Sequence, residues 1–252
     1  MKYVRQYTVG RSYYPLWIRV QVAGFIRSVV IFMKYGIISG LVLTGGRLFA
    51  TVLLWGYTVI LERNAGNHTR HIADAIRFAF SLFVLSEAMF FFGIFWAFFD
   101  RALSPTIEIG GVWPPIGVVP INPLGIPLFN TVVLLRRGAT LTWSHYALLS
   151  KEDAKPGLVL TVILAFLFER AQYVEYREAT FRMRDGIFGR CFYFGTGFHG
   201  LHVIFGHMFL MFNLYRLYNC HFTRRRHIRF ESCVVYWHFV DVIWLFLYVT
   251  FY

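Results

Sequence analysis

The chain has 252 residues, 57% of them hydrophobic and 28 of them Phe, with a mean hydropathy of +0.53; soluble domains run at about 45–50% apolar, so the surplus must face lipid. The net charge is +12, and arginine at the ends of apolar runs marks membrane topology and anionic headgroups, so nucleic acid is not expected as a partner. Cys191, Cys220 and Cys233 are an odd number with no CxxC spacing, which argues against a disulfide framework or a zinc site. No Walker, GxSxG, HExxH or dinucleotide-binding sequence offers soluble-enzyme chemistry.

Apolar runs of spanning length predict an all-α polytopic membrane protein with seven transmembrane helices at 16–33, 36–60, 73–99, 127–149, 158–176, 188–217 and 232–252. Residues 1–14 are basic but lack the apolar core of a secretory signal. Arg19, Arg27 and Lys34 punctuate the first span. Arg19 and Lys34 snorkel to opposite interfaces, and Arg27 is expected to face another helix. In the third span Glu87 is the only charge between Ser81 and Phe99. A carboxylate there costs about 2.5–3.5 kcal/mol even on lenient insertion scales. Two readings stand side by side: a proton-linked or lipid-contacting carboxyl, and a neutral carboxyl bonded across to another helix. Gly93 and Ala97 have the spacing that lets helices approach closely.

The connection 100–126 holds Pro105, Pro114, Pro115, Pro120 and Pro123, so an ordered, non-helical loop is expected there. Arg136 and Arg137 lie inside the fourth span. Adjacent residues point about 100° apart on a helix, so at least one must reach a carboxylate, another chain or water. Glu169 and Glu175 on the fifth span are possible partners. His199 and His202 share a face of the sixth span, with His207 beyond, and His238 and Asp241 repeat the spacing on the seventh. Such histidines could hold haem or a metal. The surrounding Gly195, Gly197, Gly200 and Gly206 point instead to close helix packing with imidazoles hydrogen-bonded across it. Tyr248 and Tyr252 are expected in an interfacial aromatic belt. The ends carrying Lys2, Arg5, Arg11, Arg19 and Arg224, Arg225, Arg226 and Arg229, with the connections at 62–70 and 151–155, sum to about +9 against about +1 opposite, which puts the N-terminus inside and the C-terminus outside.

Longer motifs carry a resemblance. Ser86-Glu87-Ala-Met-Phe-Phe-Phe-Gly-Ile-Phe-Trp-Ala-Phe, Leu103-Ser-Pro-Thr, Trp113-Pro-Pro, Asn122-Pro-Leu and Asn130-Thr-Val-Val-Leu-Leu occur in order. They are followed by Gly197-Phe-His-Gly-Leu-His-Val-Ile, His221-Phe-Thr, Phe230-Glu and Tyr236-Trp-His-Phe-Val-Asp-Val-Ile-Trp-Leu-Phe-Leu-Tyr. From Trp55 to Tyr252 the chain resembles subunit III of cytochrome c oxidase. Tyr236 to Tyr248 is closer to the cytochrome c version than to subunit III of the quinol-oxidising haem-copper oxidases, the alternative.

The resemblance implies two helices in residues 1–65 and five in 66–252, arranged around a V-shaped cleft of phospholipid such as cardiolipin, phosphatidylglycerol or phosphatidylethanolamine. It implies a non-catalytic core subunit of respiratory complex IV that packs on subunit I among other subunits and supports proton uptake and turnover stability. Haem and copper are then in partner subunits, and no cofactor or metal is held by this chain. The expected location is the mitochondrial inner membrane, or the plasma membrane of a bacterium. Trp55, His68, Glu87, Arg216 and His227 fall at family positions that line the cleft or meet headgroups, while His199, His202, His238 and Asp241 become packing and hydrogen-bonding residues. The family's arginine before Glu62 is replaced by Leu61, with Arg63 as a substitute, and its small residues at 136 and 137 are replaced by two arginines. Two other functions compete: a redox protein whose histidines hold a cofactor, and a transporter coupled through Glu87. The latter predicts helices broken at mid-membrane, and the third span has no such break.

Overall fold

A computed structural model describes residues 12–65, 70–107, 110–220, 222 and 227–252, with only the backbone of Arg63 and Asn64. Among the described residues seven α-helices form, one for each predicted span: α1 Tyr14–Tyr35, α2 Ser39–Asn64, α3 Arg70–Leu103, α4 Ile126–Ser150, α5 Lys155–Glu178, α6 Gly186–Tyr218 and α7 Ile228–Phe251. No strand occurs among the described residues. Their ends follow from local chemistry. Proline occupies the first turn of α1, α4 and α5, where a missing N–H breaks no helical bond. Gly36 closes α1 at φ 71°, with its N–H bonded to the Phe32 carbonyl, a conformation that glycine adopts without a Cβ penalty.

Five helices (α1, α2, α3, α5 and α7) are long and apolar enough to cross a membrane. α4 and α6 fall short because they carry polar groups on their inward faces: Asn130 and Arg137 on α4, His199, His202, His207 and Asn213 on α6. A helix with that pattern is stable in a bilayer only when its neighbours cover the polar face.

The chain divides into two compact units, Met1–Ile76 and Arg77–Tyr252. In the first, α1 and α2 pair through Gln21, whose Nε2 donates to Thr51 Oγ1 at 2.9 Å, and through Gly45, where an added Cβ would lie 3.2 Å from the Phe25 ring. Ser28 and Thr51 are the only buried described residues of these two helices. Arg27, expected to face another helix, is exposed, as is the side chain of Arg47. Two helices alone do not enclose an interior, so a mid-span cation finds no partner within the pair.

In the second unit α4, α5, α6 and α7 enclose Leu134, Leu141, Leu158, Ala165, Phe168, Val203, Leu210, Trp237, Val240 and Trp244. Close approach is set by glycine at two crossings. A Cβ on Gly157 would come within 3.0 Å of the Thr140 carbonyl, and one on Gly206 would run into the Trp237 ring. α3 is held differently, by large rings: Phe90 lies 4.4 Å from Phe198, and Phe98 lies 4.2 Å from Phe251, centroid to centroid.

That spacing overturns one expectation. Gly93 has open space where a Cβ would go, as do Gly197 and Gly200, so the Gly93–Ala97 pair does not seat a neighbouring helix of this chain. Rings on either side hold α3 and α6 apart, and the small residues leave a groove. Of the glycines around the α6 histidines only Gly195 and Gly206 are packed, against Phe251 and Trp237. Tyr248 and Tyr252, at the end of α7, donate their hydroxyls to the Pro123 carbonyl at 3.2 Å and to Glu175 Oε1 at 2.5 Å.

Candidate functional site

Glu87 projects from α3 towards α6, where its Oε2 lies 2.9 Å from His202 Nε2. His202 Nδ1 lies 2.8 Å from the carbonyl of Phe198, four residues back on its own helix. A carbonyl only accepts, so Nδ1 carries a hydrogen and donates it. In neutral imidazole the other nitrogen is then bare, and Nε2 bears a proton only in the imidazolium. The short contact to Glu87 therefore contains one proton in either state, as carboxyl O–H to nitrogen or as imidazolium N–H to carboxylate. Aromatic rings wall the pair: Phe91 at 5.1 Å, Phe198 at 4.8 Å and Tyr236 at 6.4 Å from the imidazole. The Glu87 side chain keeps 23% of its surface exposed, so the pair sits at the edge of the bundle.

Beyond Phe90, which stacks on Phe198, the space left by Gly93 and Ala97 opens as an apolar groove of about 390 Å³. Met89, Phe90, Ile94, Cys191 and Phe194 complete its lining. No lining residue is charged. Shape and polarity suit a hydrocarbon chain.

A second set of polar side chains lies deeper. Arg137, with no exposed surface, donates from Nε and Nη2 to Asp241 Oδ1 at 3.1 and 2.9 Å. Its guanidinium is covered on both sides, 4.5 Å from the Phe168 ring and 4.7 Å from Trp237. A buried cation needs such contacts, because desolvation costs several kcal/mol per ion; Nη1 alone is buried without a hydrogen-bond partner among the described residues. Asp241 Oδ2 also lies 3.9 Å from His238 Nδ1, and His238 Nε2 lies 3.3 Å from Thr142 Oγ1. The carboxylates expected to meet the arginine are engaged elsewhere: Glu169 Oε1 contacts His207 Nδ1 at 3.0 Å, and Glu175 accepts from Gln172 and Tyr252.

His199 is fully enclosed. Its Nε2 lies 3.2 Å from the Val240 carbonyl, so Nε2–H is the donor, and the ring packs 5.2 Å from Trp244. His199 and His202, three residues apart, thus address α7 and α3 respectively.

At the end of the bundle holding the α6–α7 connection, Arg216 lies over the Phe222 ring at 4.6 Å. His227 is buried, with Nε2 3.0 Å from Glu231 Oε1, while Arg77 donates from Nε to Glu231 Oε2 at 3.1 Å. His145 packs 5.8 Å from His227. Trp55 lies on α2 in the first unit, 36% exposed. His68 and the side chain of Arg63 lie outside the described residues. Arg77 and His145 were not singled out from sequence, and Glu231 only as part of the Phe230-Glu motif: each sits toward a helix end, where charge is ordinary and carries no signal of its own.

Comparison with known proteins matches this frame. The family described as cytochrome c oxidase subunit III fits residues 5–252. Cytochrome c oxidase subunit 3 of Pyricularia grisea is 44% identical, over 97% of this chain and 93% of that protein. The Yarrowia lipolytica protein of the same name is 51% identical, over 80% of this chain and 76% of its own length. That of the ostrich, Struthio camelus, is 47% identical over 81% and 80%. Most of the first fifty residues, which precede the motifs that carry the resemblance, fall within the residues matched by the family.

Proposed function

The chain belongs to the cytochrome c oxidase subunit III family, and from that membership we propose that it works as the non-catalytic core subunit of the oxidase. In this role it packs on subunit I, holds structural phospholipid, and supports proton uptake and turnover stability in the mitochondrial inner membrane, N-terminus inside. Relatives from fungi and vertebrates support that location.

The observation that carries the proposal is the Glu87–His202 contact beside an apolar groove. A carboxyl at mid-span is tolerated because His202 receives or supplies its proton, so the site holds a proton without an uncompensated charge facing lipid. An acyl chain in the groove would exclude water from Phe90 outward. Arg216, in the last turn of α6, has the charge to meet a phosphate at the membrane surface, and Trp55 the amphipathic ring suited to an interface. His199, His238 and Asp241 then serve packing between α4, α6 and α7, with haem and copper carried by partner subunits.

Replacing Glu87 with Gln tests this. Gln keeps a donor for His202 but cannot ionise. The oxidase should assemble with an unchanged haem-copper spectrum, and lipid retention or turnover lifetime should fall. Loss of that spectrum, or unaltered lipid content and lifetime, contradicts the proposal.

A further inference from the structure

Arg136 has no counter-charge among the described residues. Its neighbour Arg137 takes Asp241, and Glu87, Glu169 and Glu175 are committed to His202, to His207, and to Gln172 and Tyr252 respectively, while Glu62, Asp74, Asp100, Glu178 and Glu231 lie near helix ends. The first two helices contain no Asp or Glu between Tyr14 and Leu61. Among the described residues Arg136 makes no hydrogen bond or ion pair, and its side chain is exposed.

Its depth makes this costly. Arg136 lies ten residues from Ile126 and fourteen from Ser150 on a 25-residue helix. Such a helix is about 37 Å long, against a hydrocarbon core of about 30 Å, so the residue falls near the membrane centre. From there the side chain cannot snorkel to a headgroup without distorting the bilayer. A lipid-facing arginine at that level costs about 2.5–3.5 kcal/mol on insertion scales and more for an isolated helix. The surrounding face is built for protein contact. Leu128, Val132, Leu135, Ala139 and Trp143 form a continuous exposed stripe with Arg136 along α4, and Ala139, one turn on, permits close helix approach.

We infer that this face of α4 docks against a transmembrane helix of another subunit, one that carries an Asp or Glu at the depth of Arg136. The inference rests on the chain's place in an oxidase complex and adds the contact surface and the chemistry of the partner. A single cation facing a single carboxylate, both removed from water, fixes both register and partner choice. It also accounts for the one charged side chain on the outer face of α4.

The test is a density map of the natively purified complex together with Arg136→Leu and Arg136→Lys variants. The expected result is a carboxylate oxygen of a neighbouring transmembrane helix within about 4 Å of the guanidinium, loss of that subunit from the Leu variant, and its retention in the Lys variant. A guanidinium facing acyl chains or a lipid phosphate overturns the inference, and so does retention of every subunit in the Leu variant. If Arg136→Leu fails to accumulate, the map of the unaltered complex still decides. An intact, natively purified complex that contains this chain but lacks haem-copper absorption would remove the oxidase reading itself, an outcome distinct from an oxidase in which Arg136 meets only lipid.

Discussion

The first helix pair and the bundle α4–α7 hold together by different means. Among the described residues α1 and α2 bury two side chains, Ser28 and Thr51, and share one side-chain hydrogen bond, Gln21 to Thr51. The bundle buries an arginine, an aspartate and several histidines, with Trp237 on Arg137 and Trp244 bonded through Nε1 to Thr131 at 3.1 Å. In a bilayer, apolar surface gives no net drive for helices to associate, so packing and polar contacts must do it. The bundle has both in quantity and the pair has little of either. The pair's stability in the membrane accordingly depends on spanning hydrophobicity, and that of the bundle on specific contacts.

The largest effect that would break this contrast is in the bundle. Arg137→Ala leaves Asp241 buried without its partner, and about 3–5 kcal/mol of stability should be lost. The readout is thermal inactivation and complex yield in mild detergent; near-normal stability would mean that the pair is not a principal tie. Next is Gly206→Ala, whose methyl group meets Trp237 and should cost about 1–3 kcal/mol, while Gly197→Ala, in open space, should be neutral or slightly stabilising. Equal effects at the two glycines, measured in the same thermal assay, would remove the distinction between packed and open faces of α6. Smallest is Gln21→Leu in the first pair, where an interhelical hydrogen bond is worth about 0.6 kcal/mol. A large loss of assembled complex there would show that the pair relies on that bond after all.

Much of this was legible in the sequence, for reasons that differ along the chain. The seven helices appeared because spanning hydrophobicity is a property of each segment alone. Glu87, His202 and Asp241 stood out because polar groups inside apolar runs are rare and need partners. Partner identity was not legible. Arg137 could have met Glu169 or Glu175 by helix spacing, yet the rotation of α7 presents Asp241, and Glu169 turns to His207 instead. Nor did spacing tell packed small residues from open ones: Gly93–Ala97 and Gly206 look alike in sequence, and only ring size on the facing helix separates a groove from a crossing.

We propose that the intramembrane histidines and carboxylates of this chain serve packing, proton sharing and lipid, while the redox centres are in its partners. The direct test is the optical spectrum and phospholipid content of the chain after it is separated from the other subunits of the purified complex. Retained phospholipid without a haem band is the predicted result; a haem band that stays with this chain would contradict it.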